Sequence, residues 1–286
     1  MSLEGKTVLV IGGSSGIGQA VSRKAARLGA RLLLVARDSA KLESAATELR
    51  RQGAQVTTQA MDAADPQALA RFCAAAEDID HAISMVGGAM GGGFLANSEE
   101  AVRQAIEEKF FAALRIARAI APKLHEGGSL TLTSGAGGRP HSASGAIVGN
   151  AAIRTLAEGL AVELAPRIRV NAVAPTWMDT PLWRNVPREQ TEQTRAYFNK
   201  TIPLGRTATT DEVADAYLFA MTCTFLTGHT LVIDGGGWDW SPDCRRFSKA
   251  GGFRFRRRQT GLAHPLRHPG ADGGNLGRRS KRGRKI

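Results

Sequence analysis

Cysteine is scarce in this chain of 286 residues, which holds three, and no two of them form a Cys-x-x-Cys pair. An odd and scattered set argues against a disulfide framework and against a zinc site, so we expect no bound metal. No apolar run reaches the roughly 18 residues that a membrane-spanning helix needs. The first residues lead directly into an apolar strand and lack the basic and small-residue segments of a signal peptide. We therefore expect a cytoplasmic protein.

A charge surplus is missing from residues 1–240, which hold as many acidic as basic side chains. Residues 241–286 hold 14 Lys and Arg against 2 Asp and Glu, and so carry the whole net charge of +12. A neutral body lacks the basic surface that is typical of nucleic-acid-binding domains. The sequence thus predicts one domain over 1–240 and a separate basic tail over 241–286.

The tail is rich in Arg, Gly, Pro and His and has few aliphatic side chains. Such a composition cannot bury enough apolar surface to offset the ordering entropy, which predicts disorder. Three interpretations stay open: a solvated extension without a role, out-of-frame translation of a GC-rich reading frame, and a basic arm that touches nucleic acid or an anionic membrane. The arm ranks last, so we expect no nucleic-acid or membrane contact through the tail.

Short apolar runs alternate with longer amphipathic stretches along residues 1–240. The runs predict seven strands, at 6–12, 30–36, 54–60, 80–86, 129–134, 168–174 and 230–235. The stretches predict helices at 16–28, 39–52, 66–76, 99–121, 144–164 and 210–221. This alternation is typical of a doubly wound parallel sheet with helices on both faces, the three-layer Rossmann fold of the α/β class.

A glycine-rich segment, IGGSSGIG at 11–18, follows the first predicted strand and opens the first predicted helix. Its three spaced glycines suit a tight turn, a close approach of backbone to a pyrophosphate, and close helix–strand packing. The helix amino terminus then presents free N–H groups to the phosphates. The pattern alone also fits an ordinary turn, but its place after the first strand favours dinucleotide binding. The predicted contacts are Gly12, Ser14, Ser15, Gly16, Ile17 and Gly18.

The second predicted strand ends in VARD at 35–38, which bears on the choice of cofactor. A NAD-preferring site places an acidic residue about 20 positions past the glycines, against the ribose hydroxyls. Arg37 stands at that turn, and a guanidinium suits a 2′-phosphate through bidentate contacts. Asp38 could compete for the ribose, and Arg37 could be a solvated turn residue. We expect NADP(H) to be preferred over NAD(H).

Together these motifs resemble the short-chain dehydrogenase/reductase family, single-domain branch, over about residues 4–237. Asp62, after the third strand, resembles the family's adenine-contacting aspartate. The segment RVNAVAPTWMDT (169–180) contains Pro175 and Thr180, and it resembles the family segment whose threonine binds the nicotinamide carboxamide. Gly87 ends SMVG, which stands in place of the family's NNAG and belongs to the implied cofactor site.

The resemblance implies hydride transfer between NADP(H) and a small carbonyl or alcohol substrate. It also implies a homodimer or homotetramer that assembles through the two helices predicted at 99–121 and 144–164. The small residues of the second helix would permit close packing there. They are Ala146, Gly149, Ala157 and Gly159.

The family's catalytic pattern is altered in this chain. An ungapped alignment puts Ala146 at the proton-donating tyrosine and Asn150 at the lysine four residues later. The family's serine falls on Ser134 or Gly135, and its helical asparagine falls on Lys109. No shifted register restores the pair, because neither tyrosine of the chain has a lysine four residues on.

Three residues are candidates for the chemistry that remains. Lys109 interrupts an apolar helical stripe, so it either turns a proton-donating ammonium of lowered pKa toward the core or reaches water along the stripe. Ser134 either faces the nicotinamide or hydrogen-bonds its own turn. His141, whose ordinary pKa of about 6.5 suits acid–base work, lies in the loop before the altered helix, and it either serves the substrate pocket that the resemblance implies there or is merely solvated. Two tryptophans and a methionine would form a substrate wall or a packed lid: Trp177, Met178 and Trp183.

Three functions are compatible with these features. The first is an oxidoreductase with a non-standard active site built on Ser134, Lys109 and His141. The second is a catalytically inactive NADP(H)-binding homologue that acts as a sensor or a structural subunit. The third is a basic-tailed binder on an inert scaffold. The intact phosphate turn, Asp62 and Thr180 favour the first.

Overall fold

A computed structural model of the protein describes residues 2–76, 78–88 and 90–237. The predicted tail, 241–286, and the predicted domain boundary at 240 lie outside the described residues. In the described part of the chain seven parallel strands form one sheet in the order β3-β2-β1-β4-β5-β6-β7. The strands are β1 Thr7–Ile11, β2 Arg31–Ala36, β3 Val56–Ala60, β4 Ile79–Ser84, β5 Leu124–Thr133, β6 Arg169–Pro175 and β7 Thr230–Ile233.

Helices cover both faces of this sheet. They are α1 Gly16–Arg27, α2 Ser39–Arg51, α3 Pro66–Ala75, α4 Glu99–Ile106, α5 Ala112–Ile120, α6 Ser144–Leu164, α7 Arg188–Thr201 and α8 Thr210–Thr222. Successive side chains of β1 point to opposite faces of the sheet, so the core has two halves. Val8 and Val10 belong to the half with α1, α2 and α8. Leu9 and Ile11 belong to the half with α3, α5 and α6. The predicted doubly wound α/β fold is confirmed.

Two helical segments differ from the sequence prediction. The helix predicted over 99–121 is interrupted by the five-residue π-helical turn Glu107–Phe111, which separates α4 from α5. The second segment, α7, was not predicted, because it buries no residue and its sequence, REQTEQTRAYFNKT, has no apolar stripe. Both differences lie at the end of the sheet where the candidate site residues collect.

The strand register aligns the carboxyl ends of the sheet. Ile11 at the end of β1 pairs with Val35 of β2 and with Ser84 of β4, and Ser84 in turn pairs with Leu132 of β5. The residues that follow these strands therefore lie along one edge. The strand order reverses direction between β1 and β4, which is where ligands bind in doubly wound sheets.

Candidate active site

The turn after β1 has the backbone geometry that a dinucleotide site needs. Gly12 and Gly16 have positive φ values of +93° and +56°, which side chains disfavour. A Cβ on Gly18 would lie 2.1 Å from the carbonyl oxygen of Gly12, so only glycine permits this close packing of α1 on the turn. The tight turn at Gly12 and the close packing at Gly18 thus match the local geometry, while the approach of Gly16 to a pyrophosphate stays a prediction.

The amino terminus of α1 is open to an anion. Its cap residue, Ser15, is extended and makes no side-chain capping hydrogen bond, and the first turn carries no acidic residue. Ser14, Ser15 and Ile17 are half-buried around it. N–H groups at a helix start without a side-chain acceptor favour a phosphate group. The residues present therefore fit the pyrophosphate of a dinucleotide.

The segment after β6 faces this turn. A Cβ on Gly16 would lie 3.7 Å from the Cβ of Thr180 and 3.6 Å from Cδ of Pro181. At the start of the same segment, the carbonyl of Pro175 accepts a hydrogen bond of 2.8 Å from the Ala136 N–H. The predicted residues after β1 and β6 therefore lie next to one another at this edge of the sheet.

The turns after β2 and β3 hold residues that the sequence predicts to contact the cofactor. Arg37 and Asp62 are exposed at neighbouring strand ends, while Asp38 serves as the amino-terminal cap of α2. The two oxygens of Asp38 accept from the Lys41 N–H at 3.0 Å and pair with the Lys41 ammonium at 3.2 Å. These hydrogen bonds lower the pKa of Asp38. Its carboxylate is thus occupied, whereas the guanidinium of Arg37 faces solvent.

Lys109 lies in the π-helical turn and is buried, with 8% of its surface exposed. Its stem packs on α6, where a Cβ on Gly149 would lie 2.9 Å from its Cβ and Cγ. Its Nζ would lie 2.8 Å from a Cβ on Gly87 and donates a long hydrogen bond of 3.4 Å to the Ser134 carbonyl. The ammonium therefore points into the interior, which is the position that the first of the two sequence interpretations expects.

The surroundings of Lys109 make its ammonium easier to deprotonate. Burial lowers the pKa of Lys109 from 10.5 to about 8. No carboxylate among the described residues pairs with it. The neighbouring Glu108 is exposed, lies against Gly88 and accepts a hydrogen bond of 2.7 Å from Gln104. A pKa near neutrality suits a group that gives up and regains a proton.

Ser134 follows β5 and belongs to the same cluster. It is almost fully buried, and its hydroxyl donates a hydrogen bond of 2.9 Å to the Asn150 carbonyl. The Asn150 amide lies against the next residue, where a Cβ on Gly135 would be 2.6 Å from Nδ2. Ala146 lies one turn earlier on α6 and is half-buried. The structure thus brings Lys109, Ser134 and Asn150 together.

His141 lies apart from these contacts. Its side chain is exposed, and its backbone carbonyl packs against Gly93, where a Cβ would be 2.8 Å from that oxygen. No hydrogen bond among the described residues joins its ring to Lys109 or Ser134. Its acid–base role stays a prediction.

The chain's tyrosines lie away from the cluster. Tyr217 of α8 is fully buried, and its hydroxyl lies 2.7 Å from Oγ1 of Thr133. Thr133 and Ser134 are consecutive at the end of an extended strand and point to opposite faces of the sheet. Burial raises the pKa of Tyr217 further. Tyr197 of α7 is exposed. Neither phenol lies in the position of the missing tyrosine.

Sequence reasoning missed two residues that shape the cluster and its entrance. Gly149 was noted only for oligomer packing, but it leaves room for the stem of Lys109. Asn97 donates through Nδ2 to the carbonyls of Gly91 and Gly93 at 3.0 Å and to the Ser144 hydroxyl at 3.1 Å, joining the loops that follow β4 and β5. No local signal reveals either contact, because the partners are distant in sequence.

The aromatic residues after β6 pack as a unit. Trp177 is buried and stacks on Phe198 of α7, with ring centroids 5.6 Å apart and planes 3° apart. Trp183 lies 6.2 Å from Trp177 and donates its indole N–H to the Met178 carbonyl at 3.0 Å. The structure packs these side chains together, and their role as a substrate wall stays a prediction.

Among the residues that the structure describes, no helix has the length and apolar character needed to span a membrane. No group of three or more His, Cys, Asp or Glu side chains within 2–76, 78–88 and 90–237 could hold a metal ion.

The sheet order and the glycine turn define a Rossmann-type dinucleotide-binding fold. A family model described as enoyl-(acyl carrier protein) reductase matches residues 12–237, most of the chain. The chain belongs to the short-chain dehydrogenase/reductase family of oxidoreductases.

Similar proteins align along most of their length. An uncharacterized oxidoreductase of Mycobacterium tuberculosis is 31% identical over 245 residues, 82% of this chain and 92% of the relative. The galactitol 2-dehydrogenase (L-tagatose-forming) of Cereibacter sphaeroides is 32% identical over 252 residues, 83% of this chain and 97% of the relative. An NADPH-bound short-chain oxidoreductase from Pseudomonas aeruginosa PAO1, described as containing an atypical catalytic center, superposes with a TM-score of 0.77 at 27% identity, covering 84% and 99% of the two chains.

Proposed function

We propose that the protein transfers a hydride between NADP(H) and a carbonyl or alcohol substrate, with Lys109 as the proton-exchanging group and Ser134 as the residue that orients the substrate oxygen. The observation that carries the proposal is the buried ammonium of Lys109 beside Ser134. The resemblance assigns the absent tyrosine and lysine to Ala146 and Asn150, on the helix that packs against Lys109. A cation near the reacting oxygen can replace the lost proton donor.

In the reducing direction the chain's residues divide the work as follows. NADPH, when bound, would supply the hydride that the carbonyl carbon receives. The hydroxyl of Ser134 turns from the Asn150 carbonyl to the substrate oxygen and holds it. Lys109 donates one N–H proton to that oxygen, becomes neutral, and regains a proton from water. A positioned general acid contributes about 10²–10⁴-fold to such a step.

Three observations support NADP(H) over NAD(H). Arg37 is exposed at the end of β2 and free to meet a 2′-phosphate. Asp38 is engaged with Lys41 and so is a poor ribose acceptor. Related structures, the Pseudomonas oxidoreductase and a small-chain dehydrogenase at 26% identity, carry NADPH. The latter superposes with a TM-score of 0.68 and covers 81% of this chain and 98% of its own.

Homo-oligomerisation through α4, α5 and α6 stays part of the proposal, as does a cytoplasmic location. Val162 of α6 is 79% exposed, and a Cβ on Gly159 would meet nothing, so the chain itself leaves this part of the helix uncovered. Gly149 and Ala157 do not belong to that surface, because they pack inside the chain. This uncovered part of the helix is where we place the partner surface.

The experiment compares Lys109→Met with Lys200→Met, which removes an exposed lysine of α7. Single-turnover oxidation of NADPH would be measured with a panel of aldehydes and α-diketones, and NADPH affinity by calorimetry. Lys109→Met should slow hydride transfer by about 100-fold or more, with NADPH affinity unchanged, whereas Lys200→Met should match the wild type. Equal turnover in both variants would remove Lys109 from the mechanism.

The second function is an inactive NADP(H)-binding homologue, which the absence of a tyrosine at 146 and a lysine at 150 favours. A wild type that binds NADPH but reduces no carbonyl, while the double variant Ala146→Tyr/Asn150→Lys does, would support that function over the enzyme. Wild-type turnover at or above that of the double variant would exclude it.

A further inference from the structure

A groove of about 540 Å³ lies on the sheet between β3 and α3. It exists because α2 covers one face of β3, whereas α3 leads back toward β4 and packs against α5. The opposite face of the edge strand is thus left open. None of the described residues that line the groove belongs to the candidate active site.

The groove has an apolar floor and a polar wall. Leu33 of β2 and Phe72 of α3 pack against the core beneath it. Thr57 pairs with Leu33, and alternation along β3 places Thr57 and Gln59 on the groove side. Thr58 points to the other face, where its hydroxyl donates to Glu43 of α2 at 3.4 Å. A volume of this size is typical of small-molecule sites, roughly 300–1,000 Å³.

Two arginines supply the charge on the part of the groove lining that the structure describes. Arg31 and Arg71 line it and are exposed, and no described lining residue carries a carboxylate. Neither arginine forms an ion pair with another described residue. Guanidinium groups bind carboxylate, sulfate and phosphate through paired N–H donors.

A pairing strand fits this place less well than a small ligand. At the free edge of β3 the carbonyl of Val56 already accepts two hydrogen bonds from Arg50, at 3.2 and 3.0 Å. A capped edge resists the addition of another strand. The basic tail is also a poor occupant, because the groove presents two further positive charges.

We propose that the groove binds a small organic anion, with its apolar body on Leu33 and Phe72 and its carboxylate, sulfate or phosphate held by Arg31 and Arg71. This site is separate from the proposed dinucleotide and substrate cleft. Its occupancy therefore does not depend on whether the chain turns over a carbonyl.

The probe is 8-anilinonaphthalene-1-sulfonate, an aromatic sulfonate whose fluorescence rises in an apolar site. It would be titrated into the full-length chain with saturating NADP⁺, which keeps the dye out of a dinucleotide cleft. One variant, Arg31→Gln/Arg71→Gln, removes the charges, and another, Ala75→Trp, fills the groove. The matched control, Arg27→Gln/Arg51→Gln, removes two exposed arginines elsewhere. Circular dichroism would verify that every variant is folded.

We expect one dye to bind per chain, with affinity falling about tenfold or more in the first two variants and staying within about twofold in the control. The proposal is overturned if the wild type binds no dye while NADP⁺ is saturating, or if all variants bind the dye alike. It is also overturned if Arg31→Gln/Arg71→Gln changes the oligomeric state of the protein in solution and leaves the dye affinity unaltered. The groove would then be an interface between copies of the chain.

Discussion

The ammonium nitrogen of Lys109 lies 3.4 Å from the carbonyl oxygen of Ser134. This buried cation packs against Gly149 of α6, the helix whose Ala146 and Asn150 stand where the resemblance places the family's tyrosine and lysine. Neighbouring glycines at 87 and 149 leave the space that it occupies. The relationship leads to the first three predictions.

The pH dependence of carbonyl reduction should follow Lys109. Its pKa is about 8, and reduction requires the protonated form, so the rate should be constant below pH 8 and fall as pH rises above it. The groups packed on its side chain, Gly87, Gly149 and Ser134, do not titrate, and the exposed Glu108 is the nearby charge. Single-turnover rates from pH 6 to 10 would measure this. A similar decline in Lys109→Met would assign it to another group.

Lys109 should also lower the stability of the fold. Burial depresses the pKa of Lys109 from 10.5 to about 8. Below pH 8 the ammonium is therefore charged in the folded and in the unfolded protein, and folding must desolvate a charged group. That cost is on the order of 3 kcal/mol and disappears as pH rises from 8 to 10.5. Lys109→Met should therefore raise the free energy of unfolding in urea at pH 7, by less at pH 9.5. A lower stability than wild type at pH 7 would contradict this.

Gly149 should be needed for the position of Lys109. Gly149→Ala puts a methyl carbon 2.9 Å from Cβ and Cγ of Lys109, at the root of the side chain, so the lysine must shift. We expect hydride transfer to slow by roughly 10- to 100-fold, as displaced reacting groups do. Gly159→Ala is the matched control on the same helix, because its Cβ would meet nothing. Equal rates in the two variants would show that the space beside Gly149 is not required for hydride transfer.

Arg37 should be responsible for the preference for NADPH over NADH. Arg37→Ala removes the exposed guanidinium at the end of β2, and we expect NADPH affinity to fall about tenfold while NADH affinity stays the same. Arg51→Ala, at the exposed end of α2, serves as the control. Calorimetric titration of both cofactors measures the effect. An equal loss for NADPH and NADH would mean that Arg37 does not meet the 2′-phosphate.

His81 should make the protein sensitive to acid. It is buried on β4 with Nδ1 2.9 Å from the Ser129 hydroxyl, and burial lowers the pKa of His81 from 6.5 to about 4, opposed by Asp80. The folded state therefore resists protonation, so its stability is complete above pH 6.5 and decreases by about 3 kcal/mol as pH falls toward 4. Urea unfolding from pH 7 to 4 should show this decrease in wild type and lack it in His81→Asn. The same slope in both would refute it.

Local sequence patterns were sufficient for most of the fold. The seven strands and the helices α1, α2, α3, α6 and α8 could be predicted because apolar periodicity and glycine turns are properties of consecutive residues. The glycine-rich turn at 11–18 could be predicted for the same reason, since its three glycines lie within one strand–helix unit. The α7 helix escaped prediction because it buries no residue, so periodicity carries no signal for it.

The sequence by itself determined that Lys109 interrupts an apolar stripe and that a tyrosine and a lysine are missing from the helix 144–164. Only the tertiary structure decided that the ammonium turns inward, because its hydrogen-bond partner is 25 residues away and its packing partner is on another helix. The same holds for Asp38, which is assigned to capping by its contact with Lys41. A side chain's direction depends on which surfaces meet across the fold, and that information is not contained in the order of neighbouring residues.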